Sequence, residues 1–187
     1  GETSGDFYGI DHHRNRVVRI DTQGRTVTAY PIFADEKEQK KSLGFRVCEK
    51  KQSFYWHSEN HTVRCSDWTG KTRWTYQHSD GIGSFDVDTE GKSYVLGQYH
   101  DKGVVLNPAG QPDGNFALEF GDQKPAAGMH LMSLRVFGGE LLIKRFHPTE
   151  LFQAFDRASG QRKATVSIDH EQLTVRYPAH VWQAGEV

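Results

Sequence analysis

Four charged residues take nearly equivalent positions in separate β-rich segments, and together they could bind an anion. They are Arg46, Asp86, Arg135 and Arg176. Guanidinium groups present planar N–H forks that match a carboxylate or a phosphate. If these side chains point inward, three guanidinium groups would surround one carboxylate and grip an anionic ligand. The alternative is structural: the four side chains pair with one another and bind no ligand. Alternation along a strand does not by itself fix the face that each residue takes, so both arrangements stay open.

Histidines form a second candidate group, because imidazole titrates near neutrality and can contact a partner or ligate a metal. Five of the ten histidines fall between the second and third strands of the repeats described below: His12, His13, His61, His100 and His147. A metal needs three or four ligands converging within about 2 Å of the ion. Turns at a rim hold their side chains apart, so we predict loop-face contact residues and no metal site.

Trp68 is the third candidate, because it lies inside the turn Asp67–Gly70, where burial is hardest. An exposed indole can stack on a sugar ring, so Trp68 is predicted to contact a ligand, whereas Trp56 and Trp74 are expected to pack between sheets. Enzyme templates are missing from the sequence, which has no G-x-S-x-G, phosphate loop or H-E-x-x-H. We therefore predict no catalytic residue and no cofactor.

Composition narrows the classes of partner. The 187 residues carry 23 Lys and Arg against 24 Asp and Glu, a formal charge of -1 that disfavours nucleic-acid binding. No apolar run approaches the roughly 20 residues of a membrane span, and the first ten residues lack the features of a signal peptide. We expect a soluble single domain. Aromatic residues at 12% and 19 glycines favour many short strands joined by tight turns.

A weak internal repeat organises the chain. Four turns place an acidic or amide residue before a glycine: Asp21–Gly24, Asp67–Gly70, Asn107–Gly110 and Asp156–Gly160. Glycine accepts the positive φ of a hairpin turn, and the Asp or Asn side chain closes it. Two β-rich runs precede each turn and one follows it, and in three units a further run lies ahead of these, which gives four strands, a to d, per unit. The predicted units cover 6–42 together with a C-terminal strand at 172–187, then 43–81, 82–124 and 125–171.

Four-stranded units of about 40–50 residues are the sequence signature of a β-propeller. We predict an all-β propeller of about four antiparallel blades, closed by pairing of the N- and C-terminal strands. A sandwich and an open meander are the alternatives. Within the second unit, Cys48 and Cys65 would lie on strands a and c, about 9–10 Å apart. A disulfide needs Cα atoms within about 7 Å, so two free, buried thiols are expected.

Individual segments resemble known blade families. The stretch Phe7–Gly24 resembles the NHL repeat, with an aromatic strand, an Asn-Arg-Val core and an Asp-x-x-Gly turn, and Val105–Gly121 resembles its second half. Phe54–Arg64 with the turn Asp67–Gly70 is similar to YWTD-type and quinoprotein-type blades. The resemblance implies a scaffold whose relatives mostly bind proteins, glycans or RNA, and a minority of which are enzymes built around a metal. Fold alone does not decide among these functions.

These observations favour a non-catalytic recognition module that binds a protein or a glycan through the loop face of a propeller. One alternative is a metal-dependent hydrolase of the lactonase type, although the clustered carboxylates of that type are missing. A second alternative is a structural or oligomerisation domain, either as a homodimer or within a larger parent chain.

Overall fold

The computed structural model describes residues 4–11, 13–14, 16–31, 42–58, 61–97, 101–120, 131–147 and 149–168. These residues form fifteen β-strands and no helix. No membrane-spanning helix is therefore found among them. The predicted all-β class is confirmed.

The strands form four antiparallel sheets, each built in chain order. The first contains β1 (Phe7–Asp11), β2 (Arg16–Ile20) and β3 (Thr26–Tyr30). The second contains β4 (Ser42–Cys48), β5 (Ser53–Ser58), β6 (Thr62–Asp67) and β7 (Thr72–Gln77). The third contains β8 (Ile82–Val87), β9 (Ser93–Gly97), β10 (Lys102–Leu106) and β11 (Pro112–Ala117). The fourth contains β12 (Leu131–Phe137), β13 (Glu140–His147), β14 (Thr149–Asp156) and β15 (Arg162–Ile168).

We number the sheets as blades 1 to 4 in chain order, so that β4, β8 and β12 are strands a of blades 2 to 4. Blade 1 has three strands among the described residues. The strand predicted to complete it, at 172–187, lies outside the described residues.

The Asp-to-Gly turns have the predicted local chemistry. In the turn between β2 and β3, the Gly24 N–H donates a hydrogen bond of 2.9 Å to the carbonyl of Asp21, and the glycine has a φ of 81°. The Asp21 carboxylate accepts hydrogen bonds from the N–H groups of Gln23 and Arg25, each at a distance of 2.9 Å. An additional turn of this type, Asp88–Gly91, joins β8 to β9 and had not been predicted.

Strand alternation gives every blade two packing faces. We call the face toward the preceding blade the leading face and the face toward the following blade the trailing face. In blade 2 the side chains of Phe54 and Trp56 lie on the leading face, where they pack with Val17 and Tyr30 of blade 1. Tyr55 lies on the trailing face and packs in one cluster with residues of β8, β9 and β10 in blade 3.

The junction between blades 3 and 4 is built in the same way. Leu96 and Phe116 on the trailing face of blade 3 pack against Leu134, Ile143 and Phe155 of blade 4. The cores therefore lie between sheets, and the inner strands β4, β8 and β12 come side by side.

The two cysteines are free and buried, as predicted. They occupy β4 and β6, with β5 between them. Cys65 lies opposite Tyr55, and burial raises the pKa of the Cys65 thiol to about 11. The thiol is therefore protonated at neutral pH and acts as a small core side chain.

Candidate functional site

Three of the four predicted charged residues come together on the inner strands. Arg46, Asp86 and Arg135 occupy equivalent positions, since each lies opposite a residue of the b strand that points to the trailing face. Those partners are Tyr55, Tyr94 and Leu142 respectively. We call these three residues the inner charged cluster. The fourth predicted member, Arg176, lies outside the described residues.

Asp86 is the centre of the inner charged cluster. Its side chain is 9% exposed, and its Oδ1 accepts a hydrogen bond from Arg46 Nε at 2.5 Å. Its other oxygen, Oδ2, accepts the backbone N–H of Val136 at 2.7 Å. A guanidinium nitrogen of Arg135 lies 3.7 Å from Oδ1. One carboxylate therefore joins the inner strands of three consecutive blades.

Ser84 extends this connection and was not predicted. Its hydroxyl oxygen accepts the backbone N–H of Leu134 at 2.9 Å, two residues before the N–H that Asp86 binds. Polar residues at alternate positions on β8 thus meet alternate N–H groups on β12, which satisfies donors at the inner edge of blade 4. The signal in the sequence is the polar pair Ser84 and Asp86 alternating within an otherwise apolar strand.

The inner charged cluster carries an excess of positive charge, because two guanidinium groups share one carboxylate. Arg46 is held tightly: it also lies 5.5 Å from the centre of the Phe85 ring, and its side chain is 20% exposed. Arg135 keeps 44% of its side chain exposed. Desolvation lowers the pKa of Arg135 and the charge of Arg46 lowers it further, while Asp86 acts in the opposite direction. An added anion would offset this unfavourable balance.

His57 is a buried neighbour of the cluster that went unpredicted. It lies opposite Gly44, where an added Cβ would come within 2.7 Å of the imidazole Cδ2, and its ring meets Phe85 edge-on at 5.4 Å. Burial, together with the charge of Arg46, lowers the pKa of His57 to about 4. The imidazole is therefore neutral at physiological pH, and it adds no charge to the cluster.

Two of the predicted loop histidines, His13 and His61, lie between strands b and c, whereas His147 belongs to strand b itself. His13 and His61 are exposed, and His61 has a φ of 58°. His147 is the last residue of β13. His12 and His100 lie outside the described residues. Within the described parts of the chain, no group of three or more His, Cys, Asp or Glu side chains is arranged to hold a metal ion.

Trp68 is less exposed than its place in a turn had suggested. The indole is half-buried and packs 5.1 Å from the Tyr30 ring and 6.2 Å from the Phe54 ring, measured between centroids. Its Nε1 is buried and has no hydrogen-bond partner among the described residues. The turn folds the ring back into the junction between blades 1 and 2, so Trp68 contributes to packing there. Its predicted ligand contact is untested.

No protein-family model matches the sequence, and no curated protein matches it. Among solved structures, the chain is similar to hydrazine synthase of Kuenenia stuttgartiensis, with a TM-score of 0.58, 11% identity, and coverage of 88% of this chain and 46% of that one. It is also similar to streptogramin B lyase, with a TM-score of 0.54, 12% identity, and coverage of 88% and 51%. The fold is that of a β-propeller. The chain spans about half the length of these structures, and at such identities the likeness shows the fold alone.

Proposed function

We propose that this propeller chain is a non-catalytic recognition module that binds an acidic group of a protein partner at the inner charged cluster. The observation that carries the proposal is the shared carboxylate: Arg46 and Arg135 both approach Asp86, which leaves one positive charge in excess. Arg135 is the ligand-facing residue, because it is the more exposed of the two arginines.

The hydrogen bonding of Asp86 supports this assignment. Arg46 and the Val136 N–H satisfy its two oxygens at 2.5 and 2.7 Å. The 3.7 Å separation from Arg135 is too long for a hydrogen bond, so Asp86 does not use the donors of that guanidinium. A carboxylate of a partner could take a bidentate position there. Arg176 and Trp68 are further ligand contacts in this proposal.

The loop face supplies the remaining contacts. His13 and His61 are exposed in corresponding turns of blades 1 and 2, and His12, His100 and His147 are assigned the same role. Histidine side chains at such a rim can donate or accept hydrogen bonds to a partner, depending on pH. The arginine cluster would then select an acidic side chain, while the rim contributes contact area.

The test is calorimetric titration of the chain with a polyglutamate peptide, using a polyglutamine peptide of equal length as the neutral control. We expect binding of the acidic peptide alone, weakening as salt is added. Arg135→Gln should weaken binding by about tenfold or more, the value of one charge-assisted hydrogen bond. Arg157→Gln is the matched control: Arg157 is 35% exposed, lies on the same blade and pairs with Asp88 at 3.5 Å.

Equal losses in the two variants would show nonspecific charge attraction, and would contradict the proposal. Binding of a sialylated oligosaccharide, with no binding of either peptide, would indicate a glycan partner instead. Hydrolysis of a lactone that depends on an added divalent cation would favour the alternative of a metal-dependent hydrolase. The solution mass of the chain separates the third alternative, an oligomerisation domain, as described next.

A further inference from the structure

The two terminal faces of the blade array leave large apolar side chains exposed among the described residues. The leading face of blade 1 exposes Phe7 by 52% and Val27 by 51%, with Val18 and Ile20 beside them. The trailing face of blade 4 exposes Phe137 by 58%. These are the three large apolar side chains that the described residues leave most exposed. Because exposure concentrates on these faces, neither face covers the other.

The strand register shows that two apolar positions on the trailing face of blade 4 correspond to buried positions of blade 2. Phe137 takes the same register position in blade 4 as Cys48 in blade 2, because each lies opposite the first residue of strand b. Cys48, however, is only 2% exposed. Leu142 corresponds to Tyr55, which is 1% exposed under blade 3. Blade 4 therefore retains apolar residues where an interior blade meets its successor.

Blade 1 shows the same feature on its opposite side. Phe7 corresponds to Phe54, because each is the first aromatic residue of strand b in its blade. Phe54 is fully buried against blade 1. Val18 and Ile20 lie opposite Gly9 and Phe7 on this face. The leading face of blade 1 is thus built like the leading face of an interior blade.

A single strand cannot cover either face. A strand added beside β1, such as the one predicted at 172–187, would extend the sheet within its own plane. Packing on a face needs a second sheet about 10 Å above it. The occupant that fits each terminal face is therefore another blade, and the chain itself carries both complementary faces.

We propose that two copies of this chain dock head to tail, with the trailing face of blade 4 of each copy packed on the leading face of blade 1 of the other. Two such junctions close a ring of eight blades, twice the four in each chain. The inference depends on the terminal faces and its test needs no ligand, but Arg135 of the anion site lies on the same trailing face of blade 4.

Light scattering on the full chain across a dilution series tests the docking. We expect a species of twice 21.2 kDa that dissociates on dilution. A chain that stays monomeric at every concentration overturns the proposal, and then points to coverage by its own tail or by further blades of a longer protein. Larger polymers would overturn closure by two copies.

Two variants test which faces meet. Phe7→Glu and Phe137→Glu should each raise the dissociation constant by more than tenfold, because each places a charge in both junctions. Thr75→Glu, on an exposed position of the outer strand β7, is the matched control and should leave the mass unchanged. Circular dichroism verifies the fold of each variant, and Val27→Glu replaces Phe7→Glu if that variant does not fold.

Mixing the two variants distinguishes head-to-tail docking from a face that pairs with itself. A mixed dimer has one junction in which both faces are altered and one in which both are native. We therefore expect the mixture to dimerise more tightly than either variant alone. If mixing does not strengthen dimerisation, or if one of the two substitutions leaves the dissociation constant unchanged, head-to-tail closure is wrong.

Discussion

Aspartates perform two different tasks in this propeller, one at the inner strands and one in the outer turns. Asp86 is buried, and it binds residues 40 and 50 positions away in the chain. Asp67 in the turn after β6 binds the N–H groups of Thr69 and Lys71, two and four positions away, at the surface. The same side chain therefore fixes the relation between blades in one place and the shape of a hairpin in the other.

The difference concerns what is lost when the carboxylate is removed. A turn aspartate stands beside solvent, so water can replace it on the exposed N–H groups. Asp86 neutralises a guanidinium between strands, where water has little access. Since leaving a buried charge or donor without a partner costs more than the bond itself contributes, the two regions should respond very differently to substitution.

The largest expected effect is that of Asp86→Ala. This change removes the acceptor of Arg46 and of the Val136 N–H, and we expect the free energy of unfolding to fall by about 3 kcal/mol. Urea unfolding measures it. Asp113→Ala is the control, because Asp113 pairs with Lys92 at 3.0 Å where both side chains are over 40% exposed, and it should cost under about 1 kcal/mol.

A second substitution separates the two contributions of Asp86. Asp86→Asn keeps an oxygen for the Val136 N–H but removes the negative charge from Arg46 and Arg135. Its cost should lie between those of Asp86→Ala and Asp113→Ala. If Asp86→Ala is no worse than Asp113→Ala, Asp86 does not hold the blades together, and the contrast with the turns fails.

Two turn glycines sharpen the comparison, because one turn is purely local and the other touches the neighbouring blade. Gly24 has a φ of 81° and no atom within 4 Å of an added Cβ, so Gly24→Ala costs only the backbone strain, about 1 kcal/mol. Gly160 has a φ of 74°, and its Cβ would lie 1.9 Å from the carbonyl oxygen of Ala117 in blade 3. Gly160→Ala should cost about 2–3 kcal/mol, because backbone must move as well.

Unfolding in urea again measures both variants. Equal losses in the free energy of unfolding for Gly24→Ala and Gly160→Ala would mean that the contact between the turn at Gly160 and blade 3 adjusts to the added Cβ at no cost. The difference between them isolates the interblade part of the cost, since the two substitutions share their chemistry and nearly share their φ.

Local and long-range features differ in how far the sequence could predict them. The hairpin turns and the strands were accessible, because a turn such as Asp21–Gly24 needs only residues within four positions. The free thiols of Cys48 and Cys65 followed from strand order. The contact of Ser84 with the Leu134 N–H and the burial of Trp68 were not accessible, because both depend on how one blade meets the next. Alternation within a strand does not encode that relation.

The smallest expected effect is the pH dependence of a turn carboxylate. Backbone and side-chain hydrogen bonds from Ser159, together with the Lys163 ammonium, lower the pKa of Asp156 from 3.8 to about 2. A depressed pKa in the folded state means that the stabilisation is present above the unfolded value and is lost as pH falls through the folded one. We therefore expect the urea midpoint of the wild type to exceed that of Asp156→Asn at neutral pH, and the gap to close between about pH 4 and about pH 2.

Asn107 provides the reciprocal test, because it closes the corresponding turn of blade 3, which is one residue shorter, with an amide: its Oδ1 accepts the Ala109 and Gln111 N–H groups at 2.9 and 3.1 Å. Asn107→Asp places a titratable group in that geometry, so it should introduce an acid-dependent loss of stability where Asp156→Asn removes one. A gap between the wild type and Asp156→Asn that stays constant down to about pH 2 would show that the charge contributes nothing to the turn. Hydrogen-bond geometry alone would then explain why Asn can replace Asp in one turn of the repeat.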